Sequence, residues 1–186
     1  MLAANINIFE PENPAVKPLR DVVVETMGTA FANGDFDEVF WNKKVEKYHV
    51  PGIVHPGNMY SLMLLQKSKC MDDNLQRQYL KYIWGKPIYY VSSFPAYEIK
   101  KLEDRNFYEW LYALECLNDF SLFREFVREN ALPHLLNEVE RLMTSKEEIT
   151  MTAPALHHMR YAESWRDKTN RKTDIILRIA RIITKD

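Results

Sequence analysis

The sequence predicts a mainly α-helical, compact multi-helix domain, and three observations support this fold class. The 186 residues contain only five glycines against nine prolines, whereas tight hairpins and phosphate-binding loops need glycine. Apolar residues recur at three- and four-residue steps along most of the chain, which is the repeat of one helix face. Hydrophobic residues make up 46% and charged residues 27%, as in an ordinary globular domain. We therefore expect a single helical domain over residues 1–186 with about seven to nine helices.

The first predicted elements are an N-terminal arm and two helices. Several prolines mark the arm, residues 1–18. Residues 19–31 carry apolar side chains at helical spacing and are followed by an Asn-Gly pair, which typically ends a helix. Asp35 followed by Glu38 matches a capping box, in which two side chains satisfy the first amides of a helix. This pattern predicts a second helix from there to about Tyr48.

Two further helices and one extended segment are predicted in the middle of the chain. Asn58 can cap a helix to about Ser68, and Asp72 or the aspartate after it can cap another helix that Gly85 ends. Residues 87–94 contain aromatic and β-branched side chains with turn residues at both ends, which is typical of a strand. Because no second strand is evident in the sequence, we expect at most a minor extended or β element near these residues.

The helical repeat is strongest in the second half of the chain. Apolar side chains at helical spacing predict three short antiparallel helices over residues 107–114, 120–127 and 132–143. The third of these helices has the most regular apolar stripe, which consists of Leu132, Leu135, Leu136, Val139, Leu142 and Met143.

The C-terminal region, residues 150–186, is predicted to be helical and basic. Pro154 opens a helical pattern that reaches about Lys168. In the final residues, five isoleucines are expected on one helix face, with Arg178 and Arg181 on the other. The sequence therefore predicts an amphipathic basic helix at the C-terminus, and its isoleucine content leaves a strand as the alternative.

Charge is divided unevenly along the chain. Residues 1–149 contain 17 Lys and Arg against 22 Asp and Glu, a net charge of −5. Residues 150–186 contain 8 Lys and Arg against 4 Asp and Glu, a net charge of +4. In nucleic-acid binding, cations neutralise phosphates and aromatic rings stack on bases, and this region offers both residue types. The predicted nucleic-acid-binding residues are Arg160, Tyr161, Trp165, Arg166, Lys168, Arg171, Lys172, Arg178 and Arg181.

These observations predict a non-enzymatic binding or assembly protein that contacts nucleic acid through its basic C-terminal region. An acidic protein surface is the alternative partner for the same cations. A second interpretation is a protein–protein adaptor or a self-assembling structural subunit without nucleic-acid contact. It depends on the aromatic content of 12%, because aromatic residues are also enriched at protein interfaces and homo-oligomer contacts.

Residues with catalytic potential do not form a known catalytic pattern. His134 and Glu138 are four residues apart on a predicted helix, where an ordinary side-chain pair is the usual result. The adjacent His157 and His158 point about 100° apart on a helix, and Cys116 lies in an apolar helix, where a thiol is unreactive. We therefore predict no catalytic residues, no metal site and no cofactor. A small enzyme with a His/Glu site remains a further interpretation, and it requires several of these side chains to meet in one cavity.

The sequence also indicates an intracellular protein. Cys70 and Cys116 are too few for a disulfide framework, so both are expected to stay reduced. The N-terminus lacks the basic region of a secretory signal. The longest apolar run, residues 59–65, is far shorter than the roughly 20 residues that cross a bilayer. We therefore predict a cytoplasmic protein without membrane contact.

Overall fold

The fold is built from helices. The computed structural model describes residues 6, 9–47, 55–66, 70–101, 104, 106–144 and 168–184. Within these ranges the chain forms eight helices, which are α1 (Lys17–Ala30), α2 (Glu38–Lys47), α3 (Met59–Leu65), α4 (Asp73–Trp84), α5 (Phe107–Leu117), α6 (Phe123–Asn130), α7 (Leu132–Thr144) and α8 (Lys168–Thr184). Extended structure in the same ranges is limited to two isolated β-bridges. The predicted mainly α-helical fold with a minor extended element is confirmed.

A tight reversal connects α1 to α2. After α1 ends at Ala30, Gly34 adopts a left-handed φ of 91°, which glycine tolerates without strain. The reversal returns the amide of Asp37 to the carbonyl of Ala30, at 2.8 Å. Asp37 Oδ1 then accepts the amide of Phe40 at 2.8 Å and caps α2. The predicted capping box from Asp35 is wrong, because Asp35 lies two residues before the position from which a side chain reaches that amide.

The predicted caps of α3 and α4 are present. Asn58 Oδ1 accepts the amide of Tyr60 at 2.8 Å, and Asp72 Oδ1 accepts the amide of Leu75 at 2.8 Å. Gly85 follows the last residue of α4, as predicted. α3 ends earlier than predicted, because the backbone of the residue after it is already extended, with ψ 155°.

The predicted extended segment pairs with a loop of the same chain. The amide of Tyr89 donates to the carbonyl of Gly57 at 2.8 Å, and the amide of Met59 donates to the carbonyl of Tyr89 at 3.2 Å. These bonds form a parallel bridge at the start of α3, and a second bridge joins Pro87 to Pro95. The sequence showed no partner strand because the partner is the short turn before α3.

α5 is the central helix of the core. Trp110, Leu111 and Leu114 have no exposed surface, and the helix packs against α3 and α8. The indole of Trp110 donates to the carbonyl of Ala96 at 2.9 Å. This bond satisfies a buried carbonyl of the segment after the extended element and attaches that segment to α5.

α7 buries fewer side chains than its pattern predicts. It packs against α6 and α8. Leu135 and Leu142 are buried, whereas Leu136 is 51% and Met143 is 69% exposed. Glu138 occupies part of the buried side instead. The predicted stripe is therefore wider than the face that the bundle covers.

α8 is a helix, so the alternative of a strand is wrong. Ile175, Ile179 and Ile182 are buried, and the helix packs against α5, α6 and α7. Arg178 is buried with these isoleucines, although we predicted it on the opposite face. That prediction is wrong because a residue three positions after Ile175 lies only about 60° from it around the helix.

The structure describes both cysteines and eight helices. No disulfide joins Cys70 and Cys116, as expected. None of the helices in the described ranges combines the length and the apolar character needed to cross a membrane.

Candidate functional site

The predicted nucleic-acid-binding residues fall into two groups. The first group lies outside the described ranges and consists of Arg160, Tyr161, Trp165 and Arg166. The helix predicted from Pro154 lies outside these ranges as well. The residues that belong to α8 are Lys168, Arg171, Lys172, Arg178 and Arg181. Within α8, Arg181 is exposed, and Arg171 and Lys172 are half-buried. α8 therefore exposes some of the residues that are predicted to contact nucleic acid, Arg181 most fully.

Arg178 is held inside the structure by a carboxylate. Its Nε donates to Glu115 Oε1 at 2.5 Å, and its Nη2 donates to Glu115 Oε2 at 2.6 Å. The arginine side chain is 8% exposed. Two parallel bonds of this kind fix both the distance and the orientation of the pair. Arg178 therefore anchors α8 to α5, and we leave it out of the surface that could meet a phosphate.

His134 and Glu138 make bonds to different partners. His134 Nε2 donates to the carbonyl of Lys100 at 2.9 Å, and its ring lies edge-on to Trp110, with 5.5 Å between the centroids. Glu138 accepts a hydrogen bond from Arg141 Nη2 at 2.9 Å. The first contact joins α7 to the segment at Lys100, whereas the second lies within α7, so these two bonds do not orient the side chains toward a common atom.

Of the remaining catalytic candidates, Cys116 is the described one, and it does not add a reactive group. Burial raises the pKa of the Cys116 thiol to about 12, so the thiol stays protonated at neutral pH and is a poor nucleophile. His157 and His158 lie outside the described residues. Within the part of the chain that the structure describes, no group of three His, Cys, Asp or Glu side chains is placed to hold a metal ion.

The structure contains a cavity that the sequence did not indicate. It has a volume of about 190 Å³ and lies between the start of α2, the end of α4, the loop before α3 and the extended segment. Five of the rings that line it are those of Phe36, Trp41, His55, Tyr82 and Tyr89. Glu38, Asn42 and Lys86 also line it, so aromatic and polar side chains from four separate stretches of sequence share the wall.

Ring contacts hold the cavity wall together. The centroids of Phe36 and Tyr82 are 4.4 Å apart, and those of Phe36 and Trp41 are 5.6 Å apart. His55 lies edge-on to Tyr89 with 5.4 Å between the centroids. Tilted and edge-on rings at these distances attract each other. The wall is thus a packed aromatic cluster with a defined shape.

An ion pair lines the same cavity. Lys86 Nζ lies 3.2 Å from Glu38 Oε1 and 5.7 Å from the centroid of the Tyr82 ring. Both charged side chains are about half exposed, so water screens the pair and its contribution to stability is small, on the order of 0–1 kcal/mol. Its main effect is that the two charges cancel at the cavity.

Two buried hydrogen-bond donors lie in residues of the cavity wall. Trp41 is 2% exposed, and among the described residues neither its Nε1 nor the hydroxyl of Tyr82 meets an acceptor. Burial, followed by the charges of Glu38 and Tyr89, raises the pKa of Tyr82 well above its ordinary value. The tyrosine therefore keeps its proton and remains a donor. Proteins rarely leave buried donors unsatisfied, and such groups need an explanation.

The protonation state of the His55 imidazole follows from its contacts. Its Nδ1 accepts the amide of Gly57 at 3.0 Å, so a neutral imidazole must carry its proton on Nε2. Burial lowers the pKa of His55 more than the opposing charge of Glu38 raises it, and Lys86 lowers it further. The ring is therefore neutral at pH 7, with Nε2 as the donor. A Cβ on Gly57 would lie 3.3 Å from His55 Nδ1, so glycine allows this close approach.

Sequence reasoning missed the cavity because its residues had simpler interpretations. Trp41 is one of several apolar residues within the predicted second helix, and His55 lies next to Pro56, where a connecting loop is expected. Neither the spacing nor the composition connects positions as distant as Phe36 and Tyr89. The high aromatic content was the one available signal, and it did not show which rings meet.

Comparisons of the chain with protein-family models, with curated proteins and with solved structures found no match.

Proposed function

We propose that this chain is a non-enzymatic binding protein that contacts nucleic acid through its basic C-terminal region, residues 150–186. The observation that carries this proposal is the division of charge, with +4 in that region against −5 in residues 1–149. A local excess of positive charge attracts a polyanion, while the acidic remainder repels it. The nucleic acid would therefore approach from the C-terminal side.

The arrangement of α8 supports the proposal. Its buried isoleucines and the bond between Arg178 and Glu115 hold the helix against the bundle. Arg181 is on the exposed side, and the carbonyl of Arg181 accepts a bond from Asn118 Nδ2 at 3.4 Å. A cation on a fixed helix loses less freedom on binding a phosphate than a cation on a mobile chain. Arg181 is therefore the described residue that we favour most as a phosphate contact.

The test is fluorescence anisotropy of labelled single-stranded and duplex oligonucleotides, titrated with the full chain at several salt concentrations. Saturable binding that weakens as salt rises is expected, because cations on phosphates displace bound counterions. Arg181→Gln should weaken binding. Arg128→Gln removes the same charge from an exposed position on α6 and should have little effect. Absence of binding at low salt, or equal effects of both variants, would refute the proposal.

Charge substitutions are preferable to truncation in this test. Deletion of α8 would remove the buried Ile175, Ile179 and Ile182 together with Arg178. Each large apolar side chain lost from a core costs about 2–5 kcal/mol. A truncated chain that failed to bind would therefore not separate loss of contact from loss of fold.

A protein–protein adaptor or self-assembling subunit is the second candidate function, and one observation favours it. Leu136 and Met143 are exposed and, seven residues apart, lie on nearly the same side of α7. Multi-angle light scattering over a range of concentrations should then show a mass above that of one chain. Replacement of both residues by Gln should give a monomer, whereas Val39→Gln, at an exposed apolar position on α2, should not. A wild-type monomer at all concentrations would refute self-assembly.

A further inference from the structure

His55 closes the turn before α3 with a ring nitrogen. Its Nδ1 accepts the amide of Gly57, two residues further along the chain, at 3.0 Å. Asparagine and aspartate commonly close such a turn with a side-chain oxygen. The next turn of this chain is of that ordinary kind, since Asn58 Oδ1 accepts the amide of Tyr60 at 2.8 Å. The turn at His55 differs because its acceptor is an atom that can be protonated.

A proton on the imidazole removes the acceptor of this turn. The neutral ring carries its hydrogen on Nε2, so a second proton binds to Nδ1, the atom that accepts the Gly57 amide. Two N–H groups would then face each other, with 3.0 Å between the nitrogens. Gly57 is buried, and a buried amide that loses its acceptor destabilises its surroundings. The charged ring is therefore incompatible with the closed turn.

The same turn pairs with the extended segment. The carbonyl of Gly57 accepts the amide of Tyr89 at 2.8 Å, and the amide of Met59 donates to the carbonyl of Tyr89 at 3.2 Å. A Cβ on Gly57 would lie 3.3 Å from His55 Nδ1 and 3.4 Å from the carbonyl oxygen of Pro87. Gly57 therefore lies between the imidazole and the extended segment, and its movement away from Nδ1 displaces the carbonyl that Tyr89 uses.

The groups that face the imidazole favour its neutral form. Three rings have their centroids 5.4 to 6.5 Å from that of His55, namely Phe36, Tyr82 and Tyr89. Burial lowers the pKa of His55 more than the charge of Glu38 raises it, and the charge of Lys86 lowers it further. Lys86 Nζ already lies 3.2 Å from Glu38 Oε1, so the nearby carboxylate has a cation as its partner.

We propose that the turn before α3 is a pH-sensitive switch, in which protonation of His55 Nδ1 breaks its bond to the Gly57 amide and releases the turn from Tyr89. The step requires a proton from the solvent and no other reactant. The released turn exposes the backbone groups that the bridge now pairs. The proposal does not depend on the nucleic-acid contact, because none of these residues belongs to the basic C-terminal region.

Falling pH favours the released form. Burial holds the pKa of His55 in the closed turn below 6.5, whereas a solvated imidazole in the released turn takes up its proton near that ordinary value. The form that binds the proton more readily gains population as the pH falls. Acidification therefore opens the turn, and neutral pH closes it.

The change stays local because other bonds of the turn do not titrate in acid. The Tyr79 hydroxyl donates to the carbonyl of Pro56 at 2.7 Å, and burial raises the pKa of Tyr79 well above its ordinary value. The amide of Asn58 donates to the carbonyl of His55 at 2.9 Å, which is a bond between backbone groups. These bonds hold the turn near α4, so the bridge to Tyr89 is the part that opens.

The test is amide hydrogen exchange of the ¹⁵N-labelled full chain, followed by two-dimensional NMR. The midpoint of His55 is first measured from the pH dependence of its imidazole signals. Below this midpoint, the protection of the Gly57 and Tyr89 amides, corrected for the intrinsic effect of pH, should fall by about tenfold, as expected for the loss of one buried hydrogen bond. The amide of Leu114, in the buried helix α5, reports on global unfolding and should keep its protection.

Three variants assign the effect to one nitrogen. His55→Asn keeps an acceptor and cannot titrate, so the protection of Gly57 and Tyr89 should not depend on pH. His55→Phe keeps a ring without an acceptor, so both amides should have low protection at every pH. His134→Gln is the matched control. Because His134 Nε2 donates to the carbonyl of Lys100, a protonated ring can keep that bond, and the variant should respond to pH as the wild type does.

Three results would overturn the switch. The first is unchanged protection of Gly57 and Tyr89 across the His55 midpoint. The second is a wild-type pH response in His55→Asn, which would place the titrating group elsewhere. The third is an equal loss of protection at Leu114, because the chain would then unfold as a whole. If His55→Phe fails to fold, the comparison of the wild type with His55→Asn still decides the question.

Discussion

Arg178 of α8 and Glu115 of α5 form a two-bond ion pair, with distances of 2.5 and 2.6 Å. The arginine side chain is 8% exposed and the glutamate 27% exposed. Substitution of Glu115 and substitution of Arg178 therefore have different consequences for stability. Loss of the glutamate removes both of these bonds from a buried cation, whereas loss of the arginine leaves a carboxylate that water can reach.

We expect Glu115→Ala to lower the free energy of unfolding by roughly 3 kcal/mol, as found when one member of a buried pair is removed. Arg178→Met should lower it by less, about 1–2 kcal/mol, because its aliphatic side chain keeps part of the packing. Urea unfolding followed by circular dichroism measures both. Equal effects would mean that the two charges are solvated to the same extent.

The hydroxyl groups of two tyrosines of α4 can be compared for their contribution to stability. Tyr79 is fully buried, and its hydroxyl donates to the carbonyl of Pro56 at 2.7 Å, whereas the hydroxyl of Tyr82 has no partner within the described ranges. We expect Tyr79→Phe to reduce stability by about 1–2 kcal/mol, because the Pro56 carbonyl loses its donor. Tyr82→Phe should change stability by less than about 0.5 kcal/mol. Thermal unfolding of the two variants checks this, and a larger loss in Tyr82→Phe would show that its hydroxyl is bonded in the folded chain.

The cap of α2 is tested by two aspartates. Asp37 accepts the amide of Phe40, so Asp37→Ala should lower the free energy of unfolding by about 1 kcal/mol. Asp35→Ala removes the same charge from the reversal without removing the cap and should be nearly neutral. If the two variants lost equal stability in urea, the effect would come from charge and not from capping.

His55 predicts a pH dependence of stability. Burial holds its folded-state pKa below the ordinary value of 6.5, so the unfolded chain takes up the proton first as the pH falls. Its contribution to stability is therefore full above pH 6.5 and decreases as the pH falls from 6.5 toward the folded-state pKa. His55→Asn keeps an acceptor for the Gly57 amide and cannot titrate. In urea unfolding below pH 6.5, the wild type should lose more stability than this variant, and parallel losses would contradict the assignment.

The helices were predictable because their signals are local. Asn58, Asp72 and Gly85 mark helix ends through bonds within a few residues, and the apolar repeats of α5 and α8 follow from one helix period. The place of Arg178 beside Ile175 also follows from the helix period. Its partner Glu115 does not, because the two residues are 63 positions apart in the sequence.

The candidate site was harder to predict from the sequence than the helices were. The basic region was visible as a difference in composition, since net charge needs no structure. The aromatic cavity was not, because Trp41, His55 and Tyr82 come together only through the packing of α2, α4 and the loop before α3. Whether a donor lacks a partner depends on every neighbouring residue, which no pattern within one segment can show.

The most direct test of the proposed function is the salt dependence of oligonucleotide binding by the wild type and by Arg181→Gln. If Arg181 contacts a phosphate, the slope of log affinity against log salt should decrease in magnitude by about one in the variant. Arg128→Gln should keep the wild-type slope. Identical slopes for all three proteins, or no binding by the wild type at low salt, would contradict a nucleic-acid contact at this helix.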